Sequence, residues 1–220
     1  MSGLVDRAEH WPIKRHTVEA TGRVSDFVED EVLMPDGQTM VRQWVTHPGA
    51  VSIMALDDQN RVAVVHQYRH PVGMRLVEPP AGILDVDGES ALTAAKRELA
   101  EEAMLAAEDW RVLVDFFSSP GGLQESLRVF LAQGLHRAPR PDGFLVEEEE
   151  TDMGLSWLPL DQLVELAYAG QVQNPNMVSG TLALALAQRE GRIDNLRPAD
   201  TPWPFRDEFR ARAKEISALG

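Results

Sequence analysis

The chain has 220 residues and a mass of 24.4 kDa, with 21 Lys and Arg against 35 Asp and Glu, a formal net charge of −14 and a pI near 4.8. That length buries a real core, as one large domain or one domain with a small appendage, while the acidic balance excludes the basic footprint that duplex nucleic acid requires. No cysteine is present, which excludes disulfides, thiolate metal sites and thiol nucleophiles, and leaves an anionic substrate bound through local arginines or a divalent cation as an open class.

The N-terminal "MSGLVDRAEHWPIKRH" lacks the apolar core of a signal peptide, and no apolar run approaches the roughly 18 residues of a membrane span, so a cytoplasmic protein is expected. Residues 1–47 alternate polar and apolar; "RVSDFVEDEVLMPDGQTMVRQWVTH" reads as strand, turn at Pro35 to Gly37, strand. In "GAVSIMALDDQNRVAVVHQYRHP" two apolar β-branched runs flank "DDQN", which predicts a second hairpin of buried strands. The tandem prolines of "MRLVEPPAGILD" forbid a helix there, and Gly82 suits a tight turn.

From Ser90, a suitable N-cap, to about Ala103 the pattern is helical, with Leu92, Ala95 and Leu99 on one side. "RVLVDFF" and "SLRVFLAQGL" predict strands around "SSPGG", the acidic run Glu147 to Asp152 a loop, and "LSWLPL" a strand. Two helices follow, Asp161 to about Ala169 and Pro175 to about Arg189; the second, rich in Ala and Leu, reads as buried. Such an order of strands with few helices predicts an α+β or layered α-β-α domain. The division expected is residues 1–47 as an N-terminal antiparallel β region, 48–194 as the main domain and 195–220 as a tail.

The chemistry concentrates in "AAKRELAEEAML". On a helix, Glu98, Glu101 and Glu102 stack on one face, where like charges repel by a few tenths of a kcal/mol per pair. Alone this is an ordinary solvated surface. With Gly82 and Glu89 before it and Arg97 beside it, it becomes a carboxylate cluster that a hard divalent cation would relieve, Arg97 holding one acid bidentately and aiming the others. His10, His16 and His66 are scattered without a metal-ligand spacing and receive no metal role.

Gly82, Glu89, Arg97, Glu98, Leu99, Glu101, Glu102 and Leu105 resemble the Nudix hydrolase signature: G, five residues, E, seven residues, then REUxEExGU with U aliphatic. Two departures stand out, six residues between Gly82 and Glu89, and Met104 in place of glycine. The longer loop costs little; Met104 lacks glycine's freedom for a left-handed cap, so a different turn is expected to end the helix. The flanks "HQYRHPVGMRLVEPPAG", Pro120 in "SSPGGLQES" and "EEEETDM" are similar to the ADP-ribose pyrophosphatase branch.

That resemblance implies a Nudix α/β/α sandwich with a mixed sheet, preceded by a small N-terminal β-hairpin domain exchanged across a homodimer. It implies Mg²⁺-dependent hydrolysis of ADP-ribose to AMP and ribose 5-phosphate, with two or three Mg²⁺ ions, or Mn²⁺, in each active site. Glu98, Glu101 and Glu102 would ligate metal with the carbonyl of Ala81, and Glu89 and Arg97 would pair to hold the helix geometry. The general base would lie on the late acidic loop, at Glu149 or next Glu150, Glu149 also being a candidate metal ligand. Arg69 would clamp a phosphate, Glu78 would meet the adenine or a ribose, Ser119, Gly121 and Glu125 would read the terminal ribose, and Ile83 would pack on the ligand. Arg42 and Gln43 would face the neighbouring subunit's ligand. Another nucleoside diphosphate derivative as substrate, or a non-catalytic ADP-ribose sensor, are the competing readings; a Ca²⁺ module is disfavoured by the lack of an EF-hand pattern.

Overall fold

The computed structural model describes residues 3–141 and 154–209. The chain forms two compact units, one of Met1–Pro48, Ser119–Glu125 and Pro202–Gly220, the other of Gly49–Ser118 and Ser126–Thr201.

In the first unit β1 (Ile13–Thr21), β2 (Asp26–Leu33) and β3 (Thr39–Val45) form an antiparallel sheet in that order, one strand more than the hairpin read from the sequence. The Pro35–Gly37 turn closes because Gly37 takes φ 85° and the Asp36 carboxylate accepts the Gln38 N–H at 2.9 Å. Alternation in β2 buries Val28, Asp30 and Val32. Asp30 is tolerated there because His16 Nδ1 lies 2.6 Å from one oxygen and Trp44 Nε1 donates to the other at 2.8 Å.

Segment 119–125, though it connects two strands of the other unit, is stitched to β3: Val45 N–H donates to the Gly122 carbonyl and Gln124 N–H to the Val45 carbonyl, both at 2.9 Å. Residues 204–209 are helical, and Trp203 and Arg206 are buried.

The second unit holds two sheets. β4 (Ala50–Ala55), β7 (Ala81–Ile83), β8 (Leu105–Phe117), β9 (Ser126–Arg137) and β11 (Arg197–Pro198) form one, in the order β11-β8-β9-β4-β7, with β4 parallel to β9 and the other pairs antiparallel. β5 (Arg61–Arg69), β6 (Met74–Glu78) and β10 (Gly154–Pro159) form the other, with β5 central. The expected "DDQN" hairpin is therefore corrected. Asp57 and Asn60 do make the turn, with Asn60 at φ 58°, but only the Leu56–Val62 bridge forms before the strands part into different sheets. All six residues of β4 are buried, so it requires partners on both edges and finds them in β7 and β9.

Helices α1 (Ala91–Ala103), α2 (Leu160–Tyr168) and α3 (Pro175–Arg189) complete the unit. Gly82, cross-strand from Val51, faces Glu98 of α1, whereas Met54, three residues along β4 and so on the opposite face, meets Gly180 of α3. Helices thus cover both faces of a mixed sheet, giving the α+β sandwich. Met54, Val129, Leu131, Leu163, Met177 and Leu184 knit the α2–α3 side into one apolar cluster. α3 is less buried than its composition suggests: Met177, Gly180, Thr181, Leu184 and Ala187 make one inward stripe, while Leu182 and Leu186 are exposed. Among the described residues no helix is long and apolar enough to cross a membrane.

Candidate active site

The site grows from α1. Ser90 caps it, its hydroxyl accepting the Thr93 N–H at 3.1 Å, and Ala94, Ala95, Leu99 and Ala103 bury its inner stripe. This packing fixes the rotation of the helix, so that Glu98 and Glu102 lie against β7 at the edge of the buried stripe and Arg97 and Glu101 flank them. The helix ends on Met104 itself, in the left-handed conformation with φ 53° and ψ 40°, its N–H bonded to the Ala100 carbonyl at 3.1 Å. The expected change of turn does not occur. Met104 N–H closes onto Ala100 while its carbonyl accepts the Ala138 N–H at 3.0 Å, and these two bonds hold a conformation that a Cβ disfavours.

Arg97 is the hub. Its Nε and Nη2 each donate to the Glu89 carboxylate at 3.1 Å, and its Nη1 donates to Glu98 at 2.7 Å and to Glu101 at 2.9 Å. The hydrogen bonds it donates to Glu89 hold the guanidinium firmly protonated, and the Glu98 and Glu101 charges reinforce this against the opposing effect of burial. Glu102 turns the other way and accepts the Ala81 N–H at 2.9 Å, tying the helix to β7. Gly82 beside it must be glycine, because any Cβ would collide with the Glu98 carboxylate. Arg140, which sequence reasoning passed over, donates to the Glu101 carbonyl at 3.0 Å. No sequence signal marks it, since it lies 39 residues away.

One guanidinium thus bonds three carboxylates, with Glu102 beside them, and the surplus negative charge is chemistry suited to a hard cation. Among the described residues no three acidic or histidine side chains are already gathered as a metal cage. The donors fit all the same: oxygen ligands only, on one helix face, with space kept for Glu98 by the missing Cβ of Gly82.

The other predicted residues fall in three places. Arg69 and Glu78, read from the sequence as two separate substrate contacts, bond each other: Nε to Oε1 at 2.9 Å and Nη2 to Oε2 at 2.6 Å. Glu78 is 2% exposed and accepts from Arg69 through both oxygens. Ile83 ends β7, half-buried and paired with Ala50. Ser119, Gly121 and Glu125 belong to the segment stitched to β3, where the Ser119 carbonyl closes a tight turn by accepting the Gly122 and Leu123 N–H groups. Arg42 and Gln43 are exposed on β3, Gln43 donating to Glu29 at 2.9 Å and Arg42 to the Val41 carbonyl at 2.9 Å. Glu149 and Glu150 lie outside the described residues.

Comparison with known proteins agrees with this geometry. The NUDIX domain model matches residues 46–179. The chain is 42% identical over 196 residues to an ADP-ribose pyrophosphatase of Mycobacterium tuberculosis (strain ATCC 25618 / H37Rv), covering 89% of this chain and 92% of that protein. It is 35% identical over 168 residues to a methanol dehydrogenase activator of Bacillus methanolicus, covering 76% of this chain and 89% of the relative. A crystal structure of an ADP compounds hydrolase shares the fold, with a TM-score of 0.69 at 19% identity, over 86% of this chain and 100% of that one. The chain belongs to the Nudix family, as a hydrolase of pyrophosphate bonds in its ADP-ribose pyrophosphatase branch.

Proposed function

We propose that this protein hydrolyses the pyrophosphate bond of ADP-ribose, giving AMP and ribose 5-phosphate, in a Mg²⁺-dependent reaction. The observation that carries the reading is the complete carboxylate face of α1 around Arg97, with the Gly82 clearance that seats Glu98. The relative with 42% identity, itself an ADP-ribose pyrophosphatase, supports the substrate.

Glu98, Glu101 and Glu102, with the Ala81 carbonyl, would hold two or three Mg²⁺ ions, Mn²⁺ being able to substitute. When bound, such ions neutralise phosphate oxygens and lower the pKa of a coordinated water. Glu89 holds Arg97, and Arg97 keeps Glu98 and Glu101 aligned. Arg69 binds a phosphate with its guanidinium plane set by Glu78, and Glu78 meets the adenine or a ribose with its remaining acceptor capacity. Ile83 packs on the ligand, and Ser119, Gly121 and Glu125 read the terminal ribose. Glu149, with Glu150 as the second choice, takes the proton of the attacking water. The protein works as a cytoplasmic homodimer that exchanges its N-terminal region, Arg42 and Gln43 facing the neighbour's ligand; their exposure on β3 fits this.

Incubation with Mg²⁺ and a panel of nucleoside diphosphate derivatives, with products resolved by chromatography, tests the proposal. AMP and ribose 5-phosphate should appear with a higher kcat/KM than the products of any sugar nucleotide; preference for another substrate would refute the assignment. Glu149→Gln should lower kcat far more than it alters binding, and the same loss in Glu150→Gln instead would move the base by one residue.

A further inference from the structure

We infer that His47 is a positioning residue for Glu125, placed by a short parallel pairing between the end of β3 and segment 119–125, and that it sets the affinity for the ribose end of the substrate. This rests on the reading of Glu125 as a ribose contact.

The register carries the argument. Val45 and Leu123 form a parallel bridge, flanked by the Val45 N–H to Gly122 carbonyl bond and the Gln124 N–H to Val45 carbonyl bond, both 2.9 Å. In a parallel pair, side chains two residues further along each strand again share one face. Two steps from Val45 is His47, and two steps from Leu123 is Glu125. Their side chains do meet, His47 Nε2 standing 3.7 Å from Glu125 Oε1, with only 14% and 21% of the two side chains exposed. The backbone pairing, rather than a chance rotamer, sets this neighbourhood.

Both partners are anchored from behind. His47 is followed by Pro48, which restricts its backbone to extended conformations. Glu125 is followed by Ser126, the buried first residue of β9. A carboxylate that must accept two adjacent hydroxyls needs a fixed plane, and an imidazole at its edge supplies one without competing for both oxygens. Burial pushes the His47 imidazole down from its ordinary pKa, against the pull of the Glu125 charge. That direction favours the neutral ring beside the carboxylate.

The test uses the full-length protein with Mg²⁺ and two substrates, ADP-ribose and the β-methyl ester of ADP, which has the same pyrophosphate bond and no second ribose. Glu125→Gln comes first: it should raise KM for ADP-ribose alone, and failure to do so overturns the ribose reading of Glu125 itself. If Glu125→Gln behaves as expected, His47→Ala should raise KM for ADP-ribose about threefold, the worth of a close polar contact longer than a hydrogen bond, with kcat changed less than about twofold. KM for the methyl ester should not move. His47→Gln, whose Nε2 reaches as far as the imidazole Nε2, should restore KM, and His47→Asn, one bond shorter, should not. These two polar variants decide the matter should His47→Ala fail to fold, as judged by thermal melting. Equal KM in all folded His47 variants, or parallel rises for both substrates, would overturn the role of His47 while leaving that of Glu125 intact.

Discussion

Two arginine clusters in the Gly49–Thr201 unit use the same ionic contacts for opposite ends. On α1 one guanidinium, Arg97, bonds three carboxylates. Across β8, β9 and β11 one carboxylate, Asp115, accepts from two guanidiniums, Arg128 at 2.8 and 3.0 Å and Arg197 at 2.7 Å, while Arg128 also donates to the Thr201 carbonyl at 2.7 Å. The second cluster joins strands: Arg128, 2% exposed, holds β9 to Asp115 of β8 and to Thr201, and Arg197 ties β11 to the same carboxylate. The first keeps an excess of negative charge on a helix face, which costs stability and is useful only to a cation. A lock and a binding site are thus separated by the ratio of acids to bases, not by the kind of contact.

Breaking each cluster should separate chemistry from stability. Glu102→Gln keeps an oxygen for the Ala81 N–H, so its thermal midpoint should stay near that of the parent, while kcat falls by more than the roughly 100-fold lost with an outer partner of a metal site. Steady-state kinetics beside a melting curve checks both; retained activity would remove Glu102 from the metal-ligand set. Arg128→Ala should do the converse, leaving Asp115 short of a partner and lowering unfolding free energy by about 3 kcal/mol in urea titration, with kcat/KM held within a few-fold below the transition. A large kinetic loss in that folded variant would show that the lock also shapes the site.

Gly82→Ala sharpens the comparison from the side of the sheet. Its Cβ would displace the Glu98 carboxylate, so about 2 kcal/mol of overpacking strain and a weaker Mg²⁺ affinity by isothermal titration calorimetry should appear together. The smallest effect expected is a gain: Met104→Gly should raise stability by about 1 kcal/mol in urea titration, because glycine adopts φ 53° without a clash at Cβ.

Much of this site was legible beforehand because its residues are local. Within 21 residues, Gly82 to Glu102, one turn and one helix bring the acids together, and helical periodicity alone aligns Glu98, Glu101 and Glu102. Ser90 as cap and the extents of α2 and α3 were legible for the same reason, short-range hydrogen bonds and a 3.6-residue repeat. The pairing of Arg69 with Glu78 was not. Both residues were visible, but whether an arginine meets a phosphate or a neighbouring strand's carboxylate depends on the β5–β6 register, in which Arg69 pairs with Met74 and Val65 with Glu78. The parting of β4 from β5 was equally hidden, since two apolar runs around a turn have the same pattern whether they pair with each other or with strands far along the chain.

By itself, then, the amino-acid order determined the helices, the acidic helix face and the family, because each depends on residues close in sequence. Tertiary structure alone decided which strand lies beside which, that Glu78 pairs with Arg69, that segment 119–125 joins the N-terminal sheet through Val45, and that Met104 bends into a conformation that favours glycine. Those outcomes are settled by long-range backbone pairing and burial, whose energies depend on neighbours that no local pattern names.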